Sequence, residues 1–285
     1  MKIPAVPVPS RLFDYVATRK AGEGALYIAG RFEEVVSGFP NFDKLDPFTT
    51  AMVSTTIDRD AVKHALGRLH GSQRMIKRLG HVPKHEFLGR VQSMMTRLGP
   101  SLKVLGEARG FLRRLPDPTA HYTICMAGFP NAGKTTLLKA LTGSGAEIAN
   151  YEFTTRALNY GTSEVNHYPL QIVDTPGTLN RPEKMNAIEK QAVIALAHLA
   201  DAIVFVFDPM RDDESQELLF KTLEKYDVPL AIYASKQDLV QHVPAFTGRL
   251  AGKQSRIKAV PVFTTHKQVL DWAAPDVLRL AKEYT

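Results

Sequence analysis

The sequence predicts two folds in series. A small helical bundle is expected over residues 1–118, followed over residues 119–285 by an α/β domain with a mostly parallel sheet and helices on both faces. Three observations carry this. The first 120 residues show no apolar–polar alternation of the kind a half-buried strand needs. Leu115-Pro116-Asp117-Pro118 then interrupts the chain, and prolines so close together stop a helix. Beyond them, segments of strand and helix character alternate, the pattern of a sheet layered between helices.

In the first part, Ser10 is expected to cap a short helix running to about Lys20. Asp58 or Asp60 caps another, with Ala61, Ala65, Leu66 and Leu69 on one face and Met75, Ile76 and Leu79 extending it. Gly80 and Pro83 end that pattern. From about His85 to Arg114, apolar residues recur at a spacing of three to four, with Gly99-Pro100 expected to kink or split the helix. In the second part, strands are expected at 123–127, 158–161, 170–173, 202–207, 230–234 and 260–263. Helices are expected at 134–141, 188–199, 214–225 and 268–282.

Composition supports a globular reading. The chain has 285 residues, enough for about two domains. Hydrophobic residues make up 44% and charged residues 23%, which excludes disordered, collagen-like and coiled-coil classes. Cys125 is alone, so no disulfide framework forms and a reducing compartment fits. Prolines in the first nine residues break any signal-peptide helix. The best apolar run, 203–207, falls far short of the ~20 residues that span a bilayer. A soluble cytoplasmic protein without membrane contact is expected. His81 and His85 have helical ligand spacing, but Pro83 lies between them and no third ligand stands near, so a zinc site is not expected.

The net charge of +7 is unevenly spread. Residues 1–120 hold 19 basic and 11 acidic side chains, whereas residues 121–285 hold 17 and 18. Lys63 to Arg114 alone contains 12 basic residues against Glu86 and Glu107. Arg74, Lys77 and Arg78 share one helical face, Arg90 and Arg97 a second, Arg109 and Arg113 a third. Such a one-signed stripe suits nucleic-acid phosphates. No RNA-recognition module is present, so shape and phosphate contacts to RNA are expected rather than base readout, and DNA is not.

Gly128-Phe129-Pro130-Asn131-Ala132-Gly133-Lys134-Thr135 matches G-x-x-x-x-G-K-[ST] between a strand candidate and a helix candidate. Its backbone N–H groups and the helix N-terminus would cradle a phosphate. Lys134 would reach the β- and γ-phosphates, with Thr135 on Mg²⁺ and Thr136 beside it. Asp174-Thr175-Pro176-Gly177 ends a later strand. Asp174 can hold Mg²⁺, and the Gly177 N–H can meet the γ-phosphate. Ser235-Lys236-Gln237-Asp238 follows another strand. The Asp238 carboxylate can accept from guanine N1–H and N2 amine while Lys236 lies along the base, which selects GTP over ATP.

These motifs, with Tyr151-Glu152-Phe153-Thr154-Thr155, resemble the Obg-related GTPases. More narrowly, Asp174 through Pro182, Asn186 through Leu196 and Phe39-Pro40 through Phe48 resemble the nucleolar GTP-binding protein 1 family in its short archaeal form. The resemblance implies a helical domain on a GTPase domain that works on the large ribosomal subunit precursor and its rRNA. It implies that Thr155 is the switch threonine closing over the γ-phosphate and Mg²⁺, with Thr154 as the fallback. It also implies a K⁺ role for Asn131; a turn-stabilising role stands beside that reading.

Three departures from the family pattern stand out. Thr178 stands where a water-orienting glutamine could be, so intrinsic hydrolysis should be slow, on the order of 10⁻⁴–10⁻² s⁻¹. Ser235 replaces the usual Asn of the base motif, losing a hydrogen bond worth roughly 1 kcal/mol. Thr264-Thr265-His266 matches the last guanine-contacting loop only loosely. The alternative function is a nucleotide-sensing, RNA-binding scaffold with negligible hydrolysis; an ATPase is disfavoured by Asp238.

Overall fold

The computed structural model describes residues 2–119, 122–142, 158–165, 168–176, 185–208, 210–211, 214–236, 257–259 and 275. The chain divides into two compact units, Met1–Leu115 and Pro116–Thr285.

The first unit is all helical. It comprises α1 (Pro9–Ala17), α2 (Ala21–Gly38), a 3-10 turn (Phe42–Lys44), α3 (Pro47–Thr56), α4 (Arg59–Leu79) and α5 (Lys84–Leu112). Its start signals are local. Pro9 and Pro47 occupy first-turn positions where a missing N–H costs nothing. Asp46 accepts the Thr49 N–H at 2.8 Å and Asp58 accepts the Ala61 N–H at 3.0 Å, each capping a helix. Asp58, not Asp60, is the cap of α4. Ser10 caps nothing: Val8 is the N-cap, and Ser10 lies inside a helix that stops at Ala17.

Helix α2 was not expected. Its Ala- and Gly-rich sequence carries weak amphipathic contrast, yet Ile28, Ala29, Phe32 and Val35 are wholly buried. It packs along α4, which in turn packs along α5. Gly24 lets α2 also meet α5, because a Cβ there would sit 3.1 Å from the Phe87 ring. Helix α3 was likewise missed, its ten residues containing five hydroxyl side chains that read as loop.

Helix α5 neither breaks nor splits at Gly99-Pro100; it runs 29 residues with Pro100 inside. Proline removes one ladder donor and crowds the preceding turn. There the Arg68 guanidinium, reaching from α4, donates to the Arg97 carbonyl at 2.7 Å.

The second unit contains β1 (Thr123–Ala127), α6 (Lys134–Thr142), β2 (Asn159–Val165), β3 (Tyr168–Asp174), α7 (Ala187–His198), β4 (Ala202–Phe207), α8 (Glu214–Leu223), β5 (Leu230–Ala234) and β6 (Ile257–Ala259). The described strands form one sheet in the order β2-β3-β1-β4-β5-β6, parallel except for the β2–β3 pair. Every residue of β1 and β4 is buried, as expected of central parallel strands. Ile124 and Met126 face the cluster containing Leu137, Leu138 and Leu141 of α6. On the opposite face, the Cys125 thiol lies 3.8 Å from the Ala195 carbonyl of α7, and Phe205 packs on Phe220 of α8. Helices therefore cover both faces. The expected strand 260–263 and helix 268–282 lie outside the described residues, apart from residue 275; β6 precedes that strand, at Ile257–Ala259.

Candidate functional site

The carboxyl ends of β1, β3, β4 and β5 lie side by side, which is where open α/β sheets bind ligands. β1 delivers the glycine-rich loop. Gly128 has φ 155°, and a Cβ there would sit 2.5 Å from the Val206 carbonyl of β4. Glycine is required by contact as well as by conformation. Gly133 (φ 91°) and Asn131 (φ 64°) are also left-handed. Asn tolerates that region well, which fits the turn-stabilising reading of Asn131 and leaves the K⁺ reading beside it. Pro130, Asn131, Thr135 and Thr136 are exposed, while Phe129 and Ala132 are buried beneath the loop.

Lys134 begins α6 and is nearly buried. Its ammonium donates to the Gly128 carbonyl at 2.9 Å and the Phe129 carbonyl at 2.8 Å. The side chain thus folds back over its own loop and holds it in the form of a ring. Burial pushes the Lys134 pKa down, and the Asp174 carboxylate opposes that shift.

The Thr135 hydroxyl donates to Asp174 Oδ2 at 2.5 Å. Asp174 ends β3, level with Met126 of β1 and opposite Asn159 of β2. The next residue, Thr175, donates both its N–H and its hydroxyl to the Met126 carbonyl, pinning β3 where it leaves the sheet. Among the described residues, Asp174 Oδ1 is buried without a hydrogen-bond partner. Burial pushes the Asp174 pKa up, countered by the Thr135 hydroxyl, then Lys134, then Asn159. A hydroxyl oxygen against a carboxylate whose second oxygen is orphaned is a donor set that suits a hard divalent cation such as Mg²⁺.

β5 delivers the base motif. The Ser235 N–H and hydroxyl both donate to the Phe207 carbonyl, at 2.9 and 3.0 Å, so the side chain is spent on the sheet. Its Cβ lies 3.6 Å from where a Gly133 Cβ would be, putting the two loops in contact distance. Lys236 adopts φ 54° and its ammonium lies 2.7 Å from Asp208 Oδ2.

Thr154, Thr155, Gly177, Thr178, Asp238, Thr265 and His266 lie outside the described residues. Gly128, Pro130, Asn131, Ala132, Gly133, Lys134, Thr135, Thr136, Asp174, Ser235 and Lys236 gather at one end of the sheet. Sequence reasoning missed Asp208, Arg211, Gln216 and Asn159. The available signal was Asp208-Pro209 closing an apolar strand, the position from which such sheets present ligand residues.

In the helical unit, Lys63 and Lys77 face Asp43 and Glu33 from outside the basic stretch, at 4.0 and 3.7 Å. Arg90 and Lys103 face Glu86 and Glu107 within it. The stripe is therefore more balanced in space than in sequence. No cluster of metal-ligating side chains and no helix long and apolar enough to cross a membrane occurs among the described residues.

Comparison with known proteins agrees with this geometry. Residues 123–236 match the model of the 50S ribosome-binding GTPase family, and residues 11–82 match that of the NOG1 N-terminal helical domain. An uncharacterized protein of Methanocaldococcus jannaschii is 32% identical over 79% of this chain and 70% of its own length. Nucleolar GTP-binding protein 1 of Drosophila melanogaster is 29% identical over 86% of this chain and 42% of its own. The Saccharomyces cerevisiae protein of that name is 29% identical over 70% and 33%. The chain thus spans less than half the length of these eukaryotic relatives. With its helical unit, its GTPase unit and the assembled phosphate loop, the chain belongs to the nucleolar GTP-binding protein 1 family of GTP-binding proteins.

Proposed function

We propose that the chain is a slow GTPase switch that binds GTP and GDP with Mg²⁺ and acts on the large ribosomal subunit precursor. The observation that carries this is the Lys134–Thr135–Asp174 arrangement: a buried ammonium over the phosphate loop beside a hydroxyl–carboxylate pair with one orphaned oxygen. Triphosphate oxygens would replace the Gly128 and Phe129 carbonyls as partners of Lys134. The loop N–H groups and the α6 N-terminus would hold the phosphates. Thr135, Asp174 and, from the sequence, Thr155 would hold Mg²⁺, whose contribution is to neutralise charge on the transferring phosphoryl group. The Gly177 N–H would meet the γ-phosphate, and Asp238 would read guanine with Lys236 alongside; Thr265 and His266 would complete the base pocket.

The sequence has threonine at 178 rather than a water-orienting glutamine, so unassisted turnover should stay within about 10⁻⁴–10⁻² s⁻¹. Single-turnover GTP hydrolysis with and without large ribosomal subunits tests the enzyme reading. Phosphate release accelerated by subunits is expected; no release in either condition reduces the protein to a nucleotide-sensing scaffold. Asp238→Asn should move preference toward xanthosine nucleotides, and unchanged GTP binding would remove Asp238 from the site. Faster turnover in KCl than in NaCl would give Asn131 a role toward K⁺, and equal rates would deny it.

The helical unit is proposed to meet rRNA through Lys63–Arg114. Two features support this: 12 basic residues against two acidic ones, and exposed positions along α4 and α5. Phosphate contacts of this kind weaken steeply with salt. Subunit binding that changes little between low and high salt would contradict the proposal.

A further inference from the structure

The segment after β4 touches both halves of the nucleotide site. Asp208, nearly buried, holds the Lys236 ammonium of the base motif at 2.7 Å. Arg211, three residues on, lays its guanidinium 4.1 Å from the centre of the Phe129 ring in the phosphate loop. The two are joined by a hydrogen-bonded turn, closed by the Arg211 N–H on the Asp208 carbonyl at 3.0 Å, with the Met210 N–H on Asp208 Oδ1 at 3.0 Å.

This turn is held from below by a wholly buried side chain. Gln216 of α8 accepts from the Asp208 N–H at 3.0 Å and donates to the Asp208 carbonyl at 2.9 Å. It also donates to the Arg211 carbonyl. A buried amide with both ends satisfied by one backbone position fixes that position in one orientation. Asp208 therefore points one way, and Lys236 follows it. Lys236 needs the constraint: its left-handed backbone is unfavourable for a long side chain, and such conformations persist where surroundings over-determine them.

We infer that Asp208 is a positioning residue for nucleotide retention, acting through Lys236, and that the turn from Asp208 to Arg211 ties the base motif to the phosphate loop. The inference rests on the guanine-nucleotide reading above. It gives the protein a second link between the two loops where Ser235, engaged with Phe207, leaves no amide to reach across. Asp208 touches no ligand in this account. It holds the Lys236 stem where a base can lie along it.

The test is a double-mutant cycle read by dissociation of ribose-labelled fluorescent GDP from the full chain. Asp208→Asn keeps size and the turn's acceptor but removes the charge facing Lys236. It should speed GDP release about tenfold in the unmodified background and less than twofold in a Lys236→Met background, with an unchanged melting temperature without nucleotide. A raised KM for GTP at constant kcat should accompany it. Equal acceleration in both backgrounds would mean that Asp208 acts through general stability, and no acceleration in either would mean that it does not act; each overturns the inference. If the unmodified chain itself retains no GDP, the guanine-nucleotide reading falls and the inference with it. Retention by the unmodified chain with Asp208→Asn indistinguishable from it removes the inference alone.

Discussion

The two units bury different things. The helical unit is closed around side chains such as Phe32, Phe48, Phe87, Leu69, Ile76 and Leu105, with Thr49, Gln73 and Ser101 its buried polar residues among those described. The GTPase unit buries Thr123, Gln171 and Gln191 within its layers, and it also buries Lys134, Asp174 and Asp208, with Thr175, Gln216 and Ser235, near the carboxyl ends of its strands. One unit is packed for stability along its length. The other keeps its buried charges, among the described residues, at one edge, which disfavours the nucleotide-free fold and leaves those groups ready for a ligand.

That contrast breaks most visibly in the helical core. The Phe87 ring is fully buried and abuts α2 at Gly24. Phe87→Ala should cost about 3–5 kcal/mol of the helical unit's stability. Urea unfolding followed by circular dichroism with GDP bound should show an earlier helical transition. GDP affinity should stay within about twofold, because the site's described side chains all come from the other unit; a large loss of affinity would contradict the division of labour.

Lys134→Met inverts the pattern. Hydrogen bonds to charged groups contribute about 1.5–3 kcal/mol each, so GDP affinity should fall roughly 10- to 100-fold. Burial lowers the Lys134 pKa, so the folded protein disfavours the ammonium relative to the unfolded chain. That penalty is greatest at low pH and fades as pH rises through the folded and then the unfolded pKa. Removing the charge while keeping the stem should therefore leave the nucleotide-free melting temperature unchanged or higher at neutral pH. A drop of several degrees would show that the ammonium stabilises the loop more than its burial costs.

The same contrast explains what was legible in the sequence. The phosphate loop was, because Gly128 and Gly133 are demanded by backbone geometry and sit at fixed offsets from Lys134. Strands β1 and β4 were, because both faces are covered and every residue is apolar or small. Helix α2 was not, since a helix buried among others need not alternate, and Ala and Gly carry little contrast. Gln216 was not, since a glutamine in a helix reads as surface until α8 is placed beneath β4. Asn159 reaches Asp174 only through the β2–β3 register, which no local pattern states.

Asp174 offers a subtler division, because one group should respond oppositely in the two states. Its folded pKa is raised, so the nucleotide-free protein binds this proton more tightly than the unfolded chain does. Its contribution to nucleotide-free stability should improve as pH falls through the raised value, and it should be least favourable above it. Mg²⁺-dependent nucleotide binding needs the ionised carboxylate and should weaken over the same interval, beginning at a higher pH than for an ordinary aspartate. Asp174→Asn should flatten both profiles, raising nucleotide-free stability at neutral pH by about 1 kcal/mol while removing Mg²⁺ dependence. Parallel melting and GDP titrations across acidic pH measure this. Profiles that move together would show that the orphaned oxygen is not the cation's partner.

The smallest effect returns to the helical unit, where charge works at the surface rather than in the interior. Asp58 accepts the Ala61 N–H at the start of α4 and is exposed. Asp58→Ala should cost about 1 kcal/mol, the usual value of a lost N-cap. Asp58→Asn keeps an acceptor and loses only the interaction of a negative charge with the helix N-terminus, about 0.3–1 kcal/mol at low ionic strength. The two substitutions should therefore differ, and salt should narrow the Asn deficit while leaving most of the Ala deficit in place. Denaturation at two ionic strengths measures both. If Asn and Ala are equally destabilising, the charge and not the hydrogen bond starts α4. The helical unit would then depend on electrostatics at its surface, as the GTPase unit does at its buried edge.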